Sequence, residues 1–217
     1  MPTTTLHFVR HGETDYNRQR IVQGSGIDVA LNATGRAQAQ AVAQRLAEVP
    51  FDAIYVSTLR RAIETAEEIA SRHGSVPVHQ LGDLQEMAWG IYEGRPASPE
   101  TNAAFAEISA RWRRGEFDYQ IEDGESILDV QARGQRAVTH ILERHPGETV
   151  LVVTHGRFLR VILSTLLDEY GLERMHEIAH SNTAVNTLIW RDGCFEAERI
   201  NCTAHLDQVP SSDTEYA

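Results

Sequence analysis

The sequence predicts a three-layer α/β/α sandwich, with a mostly parallel sheet and an antiparallel strand at one edge. Short apolar runs alternate with helical stripes along the 217 residues. Three of these runs stop at polar motifs, Arg10-His11-Gly12, Ser57-Thr58-Leu59-Arg60-Arg61 and Thr154-His155-Gly156. That is the pattern of parallel strands whose C-terminal ends carry a site. Late in the chain Asp192-Gly193 joins two β-rich runs, which signals a hairpin and so an antiparallel edge.

Leu6, Phe8 and Val9 mark the first strand, followed by a polar, Gly-rich loop over 12–33. Thr34 can cap a helix over 35–48, where Ala37, Ala41, Val42 and Leu46 recur at helical spacing and Pro50 ends the run. Ala53 to Val56 is the second strand, and a helix from Arg60 to His73 stops at Gly74. Val76 to Leu81 is a third strand, followed by an aperiodic loop, Asp83 to Gly90. Residues 97–117 form a helical excursion with Phe105, Ile108 and Trp112 on one face. The helix over 126–144 carries Ile127, Val130, Gly134, Ala137, Val138, Ile141 and Leu142 in one stripe, and Pro146-Gly147 ends it. Val150 to Val153 is a wholly apolar strand, followed by a helix from Phe158 to Leu167. The hairpin strands span 184–190 and 195–200, and the polar tail after Leu206 is expected to be loose. A single domain is expected, with a lid-like excursion at about 91–122.

Composition narrows the chemistry. The formal net charge is −11 with His neutral, which argues against nucleic acid and anionic membranes as partners. A local basic pocket inside an acidic shell can still take a small anion. All 20 basic residues are Arg. The absence of Lys excludes Schiff-base, phosphate-loop and kinase-type lysine chemistry. Arg remains charged and grips phosphate with a fork of donors. Cys194 and Cys202 are too few for a disulfide framework and are expected close together as inert thiols. There is no basic stretch leading into an apolar signal core and no run of membrane-spanning length, so a cytoplasmic location is expected.

Two histidines and at least two arginines brought to one sheet edge would make a cationic pocket suited to a phosphoryl group. Helix N-termini after Ser57 and His155 could add backbone donors. The run L-H-F-V-R-H-G-E-T-D-Y-N resembles the signature of the histidine phosphatase superfamily, in its phosphoglycerate-mutase-like branch. S-T-L-R-R-A-I-E-T-A, D-L-Q-E-M-A-W-G-I-Y-E-G, D-G-E-S and V-V-T-H-G are similar to that family's later motifs, in its order, over about residues 6–190. The resemblance implies His11 as nucleophile, Arg10 and Arg61 as phosphate-binding arginines, His155 as a second histidine on the phosphoryl oxygens, and Glu86 as general acid. Asn17, Gln23, Gly24 and Gly156 fall on positions that line the phosphate site. No metal and no cofactor are implied, because arginines and histidines supply the positive charge.

Glu13, Glu64, Glu93 and Glu125 rival Glu86 for the acid. His176 and His180, four apart, lack a third metal ligand at a recognisable spacing, and His140 and His145 fare no better. Gly24-Ser25-Gly26 lacks the strand–helix context of a dinucleotide loop. Arg111, Arg113 and Arg114 sit in the excursion, where one of them could meet a second anionic group of a substrate. The sequence therefore points to hydrolysis of a small phosphorylated metabolite through phosphohistidine. Phosphoglycerate mutase activity and an inactive phospholigand-binding protein are the alternatives. The strands near 184–200 leave a homodimer open.

Overall fold

The computed structural model describes residues 2–207 and 209. Its elements are β1 (Thr4–Arg10), α1 (Asp15–Gln19), α2 (Ala33–Leu46), β2 (Ala53–Val56), α3 (Arg60–Ala70), β3 (Val78–Gln80), α4 (Pro99–Arg113), α5 (Ile127–Arg144), β4 (Thr149–Thr154), α6 (Gly156–Leu166), β5 (Val185–Arg191) and β6 (Cys194–Cys202). The six strands form one sheet in the order β3-β2-β4-β1-β5-β6. β3, β2, β4 and β1 run parallel, and the β5–β6 hairpin joins antiparallel beside β1. Asp192 and Gly193 both take positive φ, as a tight hairpin turn requires.

The central strands β2 and β4 are buried on both faces, so they read as continuous apolar runs, while the edge strands β3 and β6 are exposed or half-buried. Alternate residues of β4 serve opposite layers. Val150 and Val152 face α5 and α6, while Leu151 and Val153 face α2 and α3. Each fully buried aliphatic side chain there contributes roughly 1.5–3 kcal/mol to folding. Trp112 of α4, with Trp89, extends the first cluster over the C-terminal edge of the sheet.

Several boundaries differ from the expectations. α2 starts at Ala33, because Asn32 rather than Thr34 caps it, its Oδ1 accepting from the Gly35 N–H at 2.8 Å. Gly35 then packs against the loop after β1, where an added Cβ would lie 2.0 Å from the Glu13 carbonyl oxygen. The expected 12–33 loop contains α1, closed by a capping box between Thr14 and Asn17. The excursion helix is shorter than 97–117, with Ser98 as its cap and Gly115 at φ 84° just beyond its end. α6 starts two residues before Phe158, a shift with consequences for the site. Cys194 and Cys202 are not neighbours. They occupy opposite ends of β6, about 25 Å apart at the rise of an extended strand. The polar tail falls mostly outside the described residues. Among the described residues no helix is long and apolar enough to cross a membrane.

Candidate active site

Register brings the two histidines together. β1 and β4 are adjacent and parallel, with Arg10 opposite Thr154, and the His11 N–H donates to the Thr154 carbonyl at 3.0 Å. His11 and His155, the next residues on each strand, have ring centroids 5.2 Å apart. β2, on the other side of β4, ends at Ser57, whose hydroxyl meets His155 Nε2 at 2.7 Å.

The His11 ring has a defined tautomer. Nδ1 lies 2.7 Å from the Gly12 carbonyl, an acceptor only, so Nδ1 carries the proton and Nε2 keeps its lone pair. Nε2 has no partner among the described residues. Burial first, then Arg61 and Arg10, hold His11 well below the ordinary 6.5, against an opposing effect of the Gly12 bond. His155 is likewise held neutral by burial and then Arg61, and its buried Nδ1 has no protein partner.

Arg61 is wholly buried in the first turn of α3. It donates to the carbonyls of Ile27 at 2.6 Å and Gly24 at 3.3 Å, and its Nε has no protein acceptor. Burial disfavours the cation, and Glu86, Asp28 and Glu93 oppose that effect. Arg10 donates to the His180 carbonyl. Glu86 accepts three backbone N–H bonds, from Met87 at 2.9 Å, Arg157 at 3.1 Å and Phe158 at 3.0 Å. The latter two are the exposed donors of the α6 N-terminus. That terminus therefore fixes a protein carboxylate, where a phosphate had been expected. The α3 N-terminus behaves the same way, with Arg60 N–H donating to Asp28 at 2.7 Å.

A second layer sets the acid loop. Arg133 donates to the carbonyls of Asp83, Gln85 and Glu86 and pairs with Glu125 at 2.8 Å. Glu125 also accepts from the Ala88 N–H at 2.8 Å. The D-G-E-S motif thus braces the Glu86 loop, and Ser126 caps α5. Glu125 is a structural partner of that loop, which removes it as a rival acid.

A cavity of about 490 Å³ opens over this edge. Arg10, His11, Asn17, Gln23, Arg61, Glu86 and Gly156 line it, as the sequence led one to expect. Asn17 receives the Thr14 N–H on its Oδ1, which leaves its amide N–H groups for the cavity. Gly156 is tight, because a Cβ there would lie 2.5 Å from the His180 ring. Gly24 turns its carbonyl to Arg61 and is not among the residues that line the cavity. His155 is buried immediately beside His11, its ring centre 5.2 Å from that of His11.

Arg157, His180, Arg20, Trp89 and Phe105 also line the cavity, and sequence reasoning assigned none of them a role there. Arg157 follows the His155-Gly156 pair directly, the one signal that could have flagged it. α4 supplies Thr101, Phe105, Ser109 and Arg113, so the excursion does cover the pocket. Of the three excursion arginines only Arg113 reaches it, while Arg111 and Arg114 pair with Glu107 and Glu116. His176 is exposed and bonded to the Glu173 carbonyl, and among the described residues no three metal-ligating side chains converge.

The C-terminal edge of the parallel sheet thus carries a neutral histidine among fixed arginines. The chain belongs to the histidine phosphatase superfamily (branch 1), whose family model matches residues 6–203. It is 34% identical to the metal-independent phosphoserine phosphatase of Arabidopsis thaliana, over 95% of this chain and 84% of that one. It is 36% identical to the probable phosphoglycerate mutase GpmB of Escherichia fergusonii, over 96% of this chain and 97% of that one. A solved phosphoserine phosphatase from Entamoeba histolytica, in complex with 3-phosphoglyceric acid, superposes with a TM-score of 0.79 at 29% identity, over 94% and 99% of the two chains.

Proposed function

We propose that the chain is a phosphatase that hydrolyses a small phosphomonoester through a covalent phosphohistidine on His11, without a metal. The observation that carries this is the His11 ring. Its Nε2 is unprotonated, has no partner among the described residues and faces a cavity that also holds Arg10, Arg61 and Glu86. Arg10 and Arg61 draw in the phosphate and take up the charge on its equatorial oxygens. The buried Nδ1 of His155 needs a partner, and with the Ser57 hydroxyl donating to Nε2 it offers an N–H to a phosphoryl oxygen.

In the first half-reaction the Nε2 lone pair forms a P–N bond while the P–O ester bond breaks. Glu86, as the acid, gives its proton to the leaving oxygen. In the second half-reaction Glu86, now a carboxylate, takes a proton from water. The water oxygen bonds to phosphorus, the P–N bond breaks, and inorganic phosphate leaves with His11 neutral again. Every charge developed is met by an arginine or a histidine, so no divalent ion enters either step.

Among the relatives are one named a phosphoserine phosphatase and one named a probable phosphoglycerate mutase. Hydrolysis is favoured because the loop from Gln23 to Asp28 folds back to hold Arg61 through its carbonyls and adds no basic side chain around the pocket. The test is an assay on 3-phosphoglycerate and a panel of phosphomonoesters, with and without 2,3-bisphosphoglycerate and with EDTA. Phosphate release that EDTA leaves intact is expected. Fast isomerisation with negligible phosphate release would make the chain a mutase, and activity lost in EDTA and restored by a divalent ion would end the metal-free mechanism.

A further inference from the structure

Arg10, His11 and Arg61 account for the phosphate end of the cavity. The same cavity has another cation that the mechanism does not use, Arg157. Its position is unfavourable for folding on three counts. It stands in the first turn of α6, where the helix dipole opposes positive charge. It neighbours Arg160, and burial and Arg160 together push its pKa down to about 9, with Glu86 opposing. Its guanidinium makes no hydrogen bond or ion pair with the protein among the described residues. Arg133, comparably enclosed, has Glu125 and three carbonyls.

What holds Arg157 is aromatic. Its guanidinium carbon lies 5.4 Å from the Trp89 ring centre and 5.1 Å from that of Trp112. The two ring centres are themselves 6.1 Å apart, so both indoles lie to the same side of the guanidinium, and its N–H donors have no acceptor among the described residues. Arg157 donates its backbone N–H to Glu86, so the two side chains stand on one side of the cavity. Since Glu86 meets the leaving oxygen in the reaction above, Arg157 stands beside the leaving group. Arg113, exposed at the end of α4 and without an acid partner among the described residues, lines the same cavity.

We propose that Arg157, helped by Arg113 at the rim, binds a carboxylate on the alcohol part of the substrate, so that the enzyme selects phosphomonoesters of hydroxy acids. A planar guanidinium with unpaired N–H donors fits a carboxylate through two parallel hydrogen bonds. The inference rests on the phosphatase reading, because that reading decides which end of the cavity is the leaving-group end.

The test separates the two. Binding of 3-phosphoglycerate and of glycerol 3-phosphate, which bears CH₂OH in place of the carboxylate, is measured by calorimetry on His11→Ala protein, which has no nucleophile to turn either over. The acid is expected to bind about tenfold tighter or more, the scale of one charge-assisted hydrogen bond. Adding Arg157→Met, which keeps an apolar stem against the indoles, is expected to remove that preference, and Arg157→Lys to keep part of it. Equal affinity for the two ligands, or a preference that survives Arg157→Met, overturns the inference. Phosphate release by the unaltered chain, measured alongside, tests the phosphatase reading. Turnover of both esters without preference defeats the carboxylate site alone, and binding of neither ligand defeats both.

Discussion

In the proposed mechanism His11 can attack because its single ring proton sits on Nδ1 and leaves the Nε2 lone pair available. The Gly12 carbonyl holds the proton on Nδ1, and burial, Arg61 and Arg10 keep a second proton off Nε2. The pH dependence follows. A nucleophilic imidazole must be unprotonated, and this one is protonated only well below 6.5. kcat/KM should therefore hold on the His11 limb as pH falls through 6.5 and drop further down. Arg61→Met removes one of the causes, so its acid limb should move up towards 6.5, alongside a loss of turnover of about 10²-fold or more from weaker charge stabilisation. Profiles of both proteins on one ester cancel the ester's own ionisation, and coincident acid limbs would show that Arg61 does not act on His11. At this scale His11, Arg10, Arg61 and Glu86 were legible in sequence, since each sits at a strand end or in a recognisable motif. Arg157 was not, because the Trp89 and Trp112 rings that define its role come from segments 68 and 45 residues earlier.

The elements meet more closely than periodicity can show. The loop after β1 passes over the start of α2 with no room for a side chain at Gly35. Gly35→Ala is therefore expected to cost about 1–3 kcal/mol, as overpacking does, read as a lower urea midpoint with the m-value unchanged. An unchanged midpoint would mean that the loop yields freely. The same approach explains why Asn32 begins the helix and Thr34 does not. A cap is chosen by the path of the incoming chain, and that path is a tertiary property. α1 escaped notice because five residues are too few to show an apolar stripe, although the Thr14–Asn17 pair was in view. The strands, α5 and the hairpin were legible because burial on one or both faces writes a strong period. The N-terminus of α6 carries a different lesson. Its free N–H groups fix Glu86, and Glu86→Gln would disturb that bracing as well as proton delivery, so its effect should be read against leaving-group pKa. A proton donor matters most for poor leaving groups, and the loss should shrink on 4-nitrophenyl phosphate relative to an alkyl phosphate.

The molecule as a whole carries an excess of acid around a cationic cavity, and this has a cost in stability at low pH. Buried His11 and His155 and half-buried His180 are held neutral, well below 6.5. In the unfolded chain they take up protons near 6.5, and in the folded chain only well below it. The unfolded state thus gains protons as pH falls through 6.5, and each histidine weakens folding by up to about 1.4 kcal/mol per pH unit. This stability is present above 6.5 and is lost progressively below. The urea midpoint should fall clearly between pH 7.5 and 5.5, and a flat midpoint would mean that these imidazoles are not buried as described. The proposed chemistry converges on one bond, phosphorus to Nε2 of His11. Rapid acid-free quenching of the protein with a ³²P-labelled phosphomonoester, followed by peptide mapping, tests it directly. An acid-labile, base-stable label on His11 that is absent from His11→Ala is the expected result. Label on another residue, or His11→Ala turning over at the rate of the unaltered chain, would contradict it.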